Sequence, residues 1–114
     1  MKVFYTPKMV ALEGGFSHSP QKPALAVGAW LEAGIPLDIE EPMPVTAEEF
    51  SLAHDRRHVE GILSFREKNG FGNLDPVIAA SLPYTTGSML SAARWAIAHT
   101  SSAAAPCSGF HHAR

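Results

Sequence analysis

Cysteine is nearly absent: Cys107 is the only one in 114 residues. A single thiol closes no internal disulfide and forms no Cys-x-x-Cys pair for zinc or redox chemistry, which fits a reducing compartment. Charge is also sparse. Asp, Glu, Lys and Arg make up 18% of the chain, nine basic and eleven acidic residues give a formal net charge of −2, and no long run carries one sign. A polyanion needs a basic patch to dock on, so nucleic acid is disfavoured as a partner. No apolar run approaches the ~18 residues of a membrane span. Pro7, Lys8, Glu13 and Gly14-Gly15 break up the apolar core that a signal peptide would need. These absences lead to the expectation of a cytoplasmic protein with no membrane partner.

What is present is enough apolar material for one core. Hydrophobic residues make up 46% of the chain, and domains most often run to ~100–150 residues, so residues 1–114 read as a single domain. Lys2-Val3-Phe4-Tyr5-Thr6 is a β-branched and aromatic run that stops at Pro7, as a first strand would. Ser19-Pro20 reads as a helix start with Ser as cap, and Ala24, Val27, Trp30 and Leu31 carry a helix over 23–33 that Gly34 ends. Ile35 to Glu40 alternates between prolines and reads as an edge strand. Thr46-Ala47-Glu48-Glu49 fits a capping box. His54-Asp55 opens a further helix through Val59, Ile62, Leu63 and Phe65, which Asn69-Gly70 terminates.

Asp75-Pro76 is another cap followed by a first-turn proline. One or two turns are expected over Ile78–Leu82, then a separate alanine-rich helix from about Thr86 to Ala98. Trp30 and Trp95, at helical spacing among alanine and leucine, are expected in the core. Ser101 to Pro106 reads as a small-residue strand leading out to Gly109-Phe110-His111-His112. Strand, helix, strand, helices, strand predicts an α/β fold with a small, mostly parallel sheet flanked by helices. Only three strands are available, which leaves room for strands contributed by another chain.

Two adjacent histidines are open to two readings. They suit a surface or tail pair, or a general base, since imidazole titrates near neutrality. Their position after a strand favours the second reading, because α/β ligand sites gather at the carboxyl ends of strands. His54 and His58 are an i, i+4 pair able to share a helix face. Cys107 is open to a nucleophilic reading with a neighbouring histidine as base, or to being an ordinary loop residue.

Ala105-Pro106-Cys107-Ser108-Gly109-Phe110-His111-His112-Ala113 resembles the histidine-dyad segment of the histone deacetylase superfamily, which includes acetylpolyamine amidohydrolases and acetoin-utilisation proteins. Other segments agree in order. His18-Ser19-Pro20-Gln21-Lys22-Pro23 is similar to the family's His-Pro lead into its first helix. Ala53 to Glu60 is similar to its His-acidic segment, and Thr85-Thr86-Gly87-Ser88-Met89 to the start of the helix before the dyad strand.

The resemblance implies the amino-terminal part of a three-layer arginase/deacetylase-like fold. It implies His112 as the main general base and His111 as its electrostatic partner, with Asp75 as a residue gripping substrate. The implied reaction is zinc-dependent hydrolysis of an acetylated amine, acetyl-lysine or acetylpolyamine. In the family the metal ligands, an Asp-x-His strand end and a later aspartate, and the carbonyl-polarising tyrosine all follow the dyad. The expectation is therefore an incomplete site, with no zinc bound by this chain alone and no activity by itself. A second expectation, from a different class, is a binding or oligomerisation module. In the complete fold the strand carrying Ala103 to Ala105 would be central, so an exposed sheet edge here is expected to drive a homodimer or larger oligomer.

Overall fold

The computed structural model of the chain describes residues 1–12 and 18–108. Its centre is β1 (Lys2–Phe4), whose Val3 and Phe4 are buried on opposite faces. On one side β1 pairs in parallel with β2 (Asp38–Glu40), Val3 opposite Ile39; on the other it pairs in parallel with β3 (Ala103–Ala104), Val3 opposite Ala104. The order β2-β1-β3 makes a three-stranded parallel sheet. Parallel neighbours need crossovers, and helices supply both. The coarse α/β expectation holds, and β2 is the exposed edge that its prolines predicted. That edge is fixed by charge: Lys2 Nζ bonds Glu40 at 2.7 Å and Asp38 at 3.1 Å.

Helix α1 (Lys22–Glu32) forms the first crossover. Ser19 does not cap it; Ser19–Gln21 form a 3-10 turn with Pro20 buried, and α1 continues from there. The helix ends as a glycine allows. Gly34 takes φ +71° and donates to the Leu31 carbonyl, while the Ile35 N–H reaches back to Trp30.

The second crossover opens on α2 (Ala47–Phe50), where the capping box forms in both directions: Glu49 N–H donates to Thr46 Oγ1 and Thr46 N–H to Glu49 Oε2. Asp55 caps α3 (Arg56–Leu63) by accepting from the His58 N–H. The helix expected to reach Asn69 stops at Leu63. Phe65 enters the left-handed region at φ 63°, and the N–H groups of Arg66 and Glu67 both donate to the Gly61 carbonyl. The Glu67 side chain packs over Gly61, where a Cβ would lie 2.7 Å from Glu67 Cδ. The Glu67 carboxylate then meets His58 Nδ1 at 2.8 Å.

The largest departure from expectation is α4, one continuous helix (Pro76–His99) of 24 residues where two pieces were expected. A proline inside a helix removes an N–H and a glycine costs entropy, yet α4 runs through both Pro83 and Gly87. The fold uses both in a crossing. The segment before α2 passes over α4 so closely that the Val45 N–H donates to the Pro83 carbonyl, and a Cβ on Gly87 would fall 2.0 Å from the Met43 carbonyl oxygen. The hydroxyls of Ser81 and Thr85 donate to carbonyls three residues back, within the same turns.

Val45, Phe50, Val59, Ile62 and Leu82 close the core between this crossing and α2 and α3, with Leu63, Phe71 and Leu90 packed against them. Full burial of such a side chain contributes about 1.5–3 kcal/mol. The tryptophans are not part of that core. Trp30 and Trp95 are half-buried, and Trp95 stacks on His99 with ring centroids 4.3 Å apart. Among the described residues no helix is long and apolar enough to cross a membrane.

Gly28 and Gly87 set up opposite outcomes. Gly87→Ala should destabilise by about 2–3 kcal/mol, since backbone must yield. Gly28→Ala in α1, where an added Cβ meets nothing within 4 Å, should stabilise by about 0.5–1 kcal/mol. Urea unfolding of the two variants checks this, and equal effects would contradict the crossing.

Candidate functional site

All three strands run the same way, so their carboxyl ends share one side of the sheet, where parallel α/β folds collect ligand-binding loops. Beyond β3 the chain continues through Ala105, Pro106, Cys107 and Ser108. There Ser108 Oγ donates to the Ser19 carbonyl at 3.1 Å, joining residues 89 apart. That bond sets the outgoing end of β3 against the turn that precedes α1. From α4, the fully buried Ser88 hydroxyl donates to the Phe4 carbonyl at the end of β1. Segments 18–23, 85–89 and 105–108, distant in sequence, thus converge on the carboxyl ends of β1 and β3. Nothing in composition or periodicity pointed to these two serine bonds; a serine carries no period, and its partners are carbonyls.

His111 and His112 lie outside the described residues. Asp75 is at the start of α4, away from any strand end: its Oδ1 accepts the Val77 N–H at 2.8 Å, and its own N–H donates to Asn73 Oδ1. Capping accounts for both contacts. The turn beneath it is closed by Asn69, whose amide donates to Asn73 and whose carbonyl accepts the Phe71 N–H.

The i, i+4 histidines lie near each other but make different contacts. His54 follows α2 with its ring tilted against Phe50, and His58 turns to Glu67. Among the described residues no three His, Cys, Asp or Glu side chains gather as a metal-ligand set. The described donors therefore do not by themselves make a zinc site. Cys107 is exposed as a residue, yet desolvation holds its thiol above the ordinary cysteine value. A nucleophile needs the opposite shift, toward thiolate at neutral pH.

A search with protein-family models finds no match to the chain, and a search of curated proteins finds none.

His54 gives the junction of α2 and α3 a pH signature. Desolvation, and then the nearby His58, lower its pKa. A histidine with a folded value below its unfolded ~6.5 takes its proton more readily when unfolded, so its contribution is present at pH 7 and is lost as pH falls through that value. Unfolding midpoints should drop as pH falls below about 6.5, and His54→Gln should flatten the slope. An unchanged slope in the variant would exclude His54 as its source.

Proposed function

We propose that this chain forms the amino-terminal portion of an arginase/deacetylase-like fold whose reaction is hydrolysis of an acetylated amine, of the acetyl-lysine or acetylpolyamine type. The observation that carries the reading is the Ser108–Ser19 bond. It brings together, at the carboxyl end of a parallel strand, two of the segments on which the resemblance to the deacetylase superfamily rests. A third, 85–89, reaches the neighbouring strand end through Ser88.

In this reading His112 accepts a proton from the attacking water, and His111 supports the resulting charge. Water adds to the acetyl carbonyl, the C–N bond breaks, and the proton passes to the leaving amine, giving acetate and free amine. Neutral imidazole suits the step because its pKa lies near the working pH. Zinc would supply polarisation of the carbonyl and of the water. The family's zinc ligands follow the dyad in sequence, so the reading assigns this chain the proton-handling wall and no activity by itself.

The test compares the chain alone with a form extended in frame past Arg114, each with added zinc and acetyl-lysine or acetylpolyamine substrates. The first should show no turnover. The second should hydrolyse the amide in a zinc-dependent manner and lose about 100-fold or more in rate on His112→Ala. Turnover by the first, or an extended form that binds zinc without deacetylating, would overturn the reading.

A second reading, a stand-alone binding or oligomerisation module, is favoured by one observation: Met89 and Ile97 of α4 are 50% and 81% exposed, large apolar side chains facing solvent.

A further inference from the structure

Asn69-Gly70 is a dipeptide with chemistry of its own. Glycine has no side chain to shield its backbone nitrogen, which can attack the amide carbon of the asparagine before it. The turn over 69–75 holds that reaction in check. Asn69 is 4% exposed; its amide NH2 donates to Asn73 Oδ1 at 2.8 Å, and its Oδ1 accepts the Phe71 N–H at 2.9 Å. Its backbone is held as well, since its N–H donates to the Asn73 carbonyl and its carbonyl accepts the Gly72 N–H, both at 2.8 Å. Gly70 is exposed, and a Cβ there would meet nothing within 4 Å. The electrophile is clamped while the nucleophile stands open.

We propose that Asn69-Gly70 is a self-modification site gated by opening of this turn. Once the turn opens, the Gly70 nitrogen bonds to Asn69 Cγ and loses its proton, the bond from Cγ to the amide nitrogen breaks, and ammonia leaves. Water then opens the succinimide ring. Attack at Cγ gives aspartate, and attack at the main-chain carbonyl gives isoaspartate, whose chain runs on through Cγ. The product does not close the turn as before. A carboxylate at position 69 meets Asn73 Oδ1 as acceptor against acceptor, and Asn73 can turn its NH2 toward it only by giving up the Asp75 N–H that the same Oδ1 accepts. Asp75 in turn caps α4 through the Val77 N–H, so each conversion irreversibly loosens the start of α4. The inference does not depend on the deacetylase reading, whose proposed step uses neither Asn69 nor Gly70.

Peptide mapping by mass spectrometry of the purified chain, held in mildly alkaline buffer with and without guanidinium chloride, tests it. Conversion at Asn69 should be slower in the native chain by about 100-fold or more, because only the open fraction reacts. Asn73→Ala should speed native conversion about 10-fold, the effect of one lost hydrogen bond on the opening, with an unchanged circular dichroism spectrum. Asn69→Asp, the product made directly, should lower the unfolding midpoint. Should Asn73→Ala not fold, the gate is read on the wild type: conversion should rise with temperature in step with hydrogen exchange of the Phe71 amide. Equal rates with and without denaturant, a native rate that Asn73→Ala leaves unchanged, conversion out of step with Phe71 exchange, or an Asn69→Asp variant of wild-type stability would each overturn the proposal.

Discussion

The fold depends on one backbone crossing. The Met43 carbonyl occupies the space that a side chain at position 87 would fill, and the Val45 N–H bonds the Pro83 carbonyl a turn earlier. Helix packing through side chains keeps axes about 8–10 Å apart; here an extended segment lies directly on helical backbone. From that contact Val45 is directed into the core beside Leu82, the capping box at Thr46 follows at once, and α2 and α3 fold back over the amino-terminal half of α4. Without the crossing, the segment between β2 and α2 has no fixed path across α4. The other half of the helix would still lie along β1 and β3, held at Phe4 by Ser88.

This explains which parts of the fold were legible in the sequence. Local chemistry was: the Thr46 capping box, the Asp55 and Asp75 caps, the glycine stop at Gly34 and the edge character of β2 all follow from side chains acting on their own turn. The errors share a cause. The two helical pieces expected over 78–98 form one helix because propensity is a local quantity, whereas α4 is held through Pro83 and Gly87 by a segment that bonds the Pro83 carbonyl and fills the space beside Gly87. The helix expected to run to Asn69 ends at Leu63, where the Arg66 and Glu67 N–H groups turn back to the Gly61 carbonyl, another contact without periodicity. Trp30 and Trp95 have the spacing of core residues, but the core formed over the other half of α4.

The candidate site was legible in a different way. The resemblance named four segments, and three of them meet at the carboxyl ends of β1 and β3 through hydroxyl-to-carbonyl bonds from Ser108 and Ser88. Ala53 to Glu60 does not join them; it builds α3 and the core instead. Asp75 stands apart as well, its carboxylate used by the first turn of α4.

The bare half of α4 bears on both functional readings through the same physics. A hydrolytic site at the strand ends would need an opposing wall to exclude water and hold substrate. A stripe such as Met89, Ala93 and Ile97 in turn favours any surface that removes it from water, at roughly 25 cal/mol per Å² of apolar area. Either reading, a larger hydrolytic domain or a binding module, would have to cover that face.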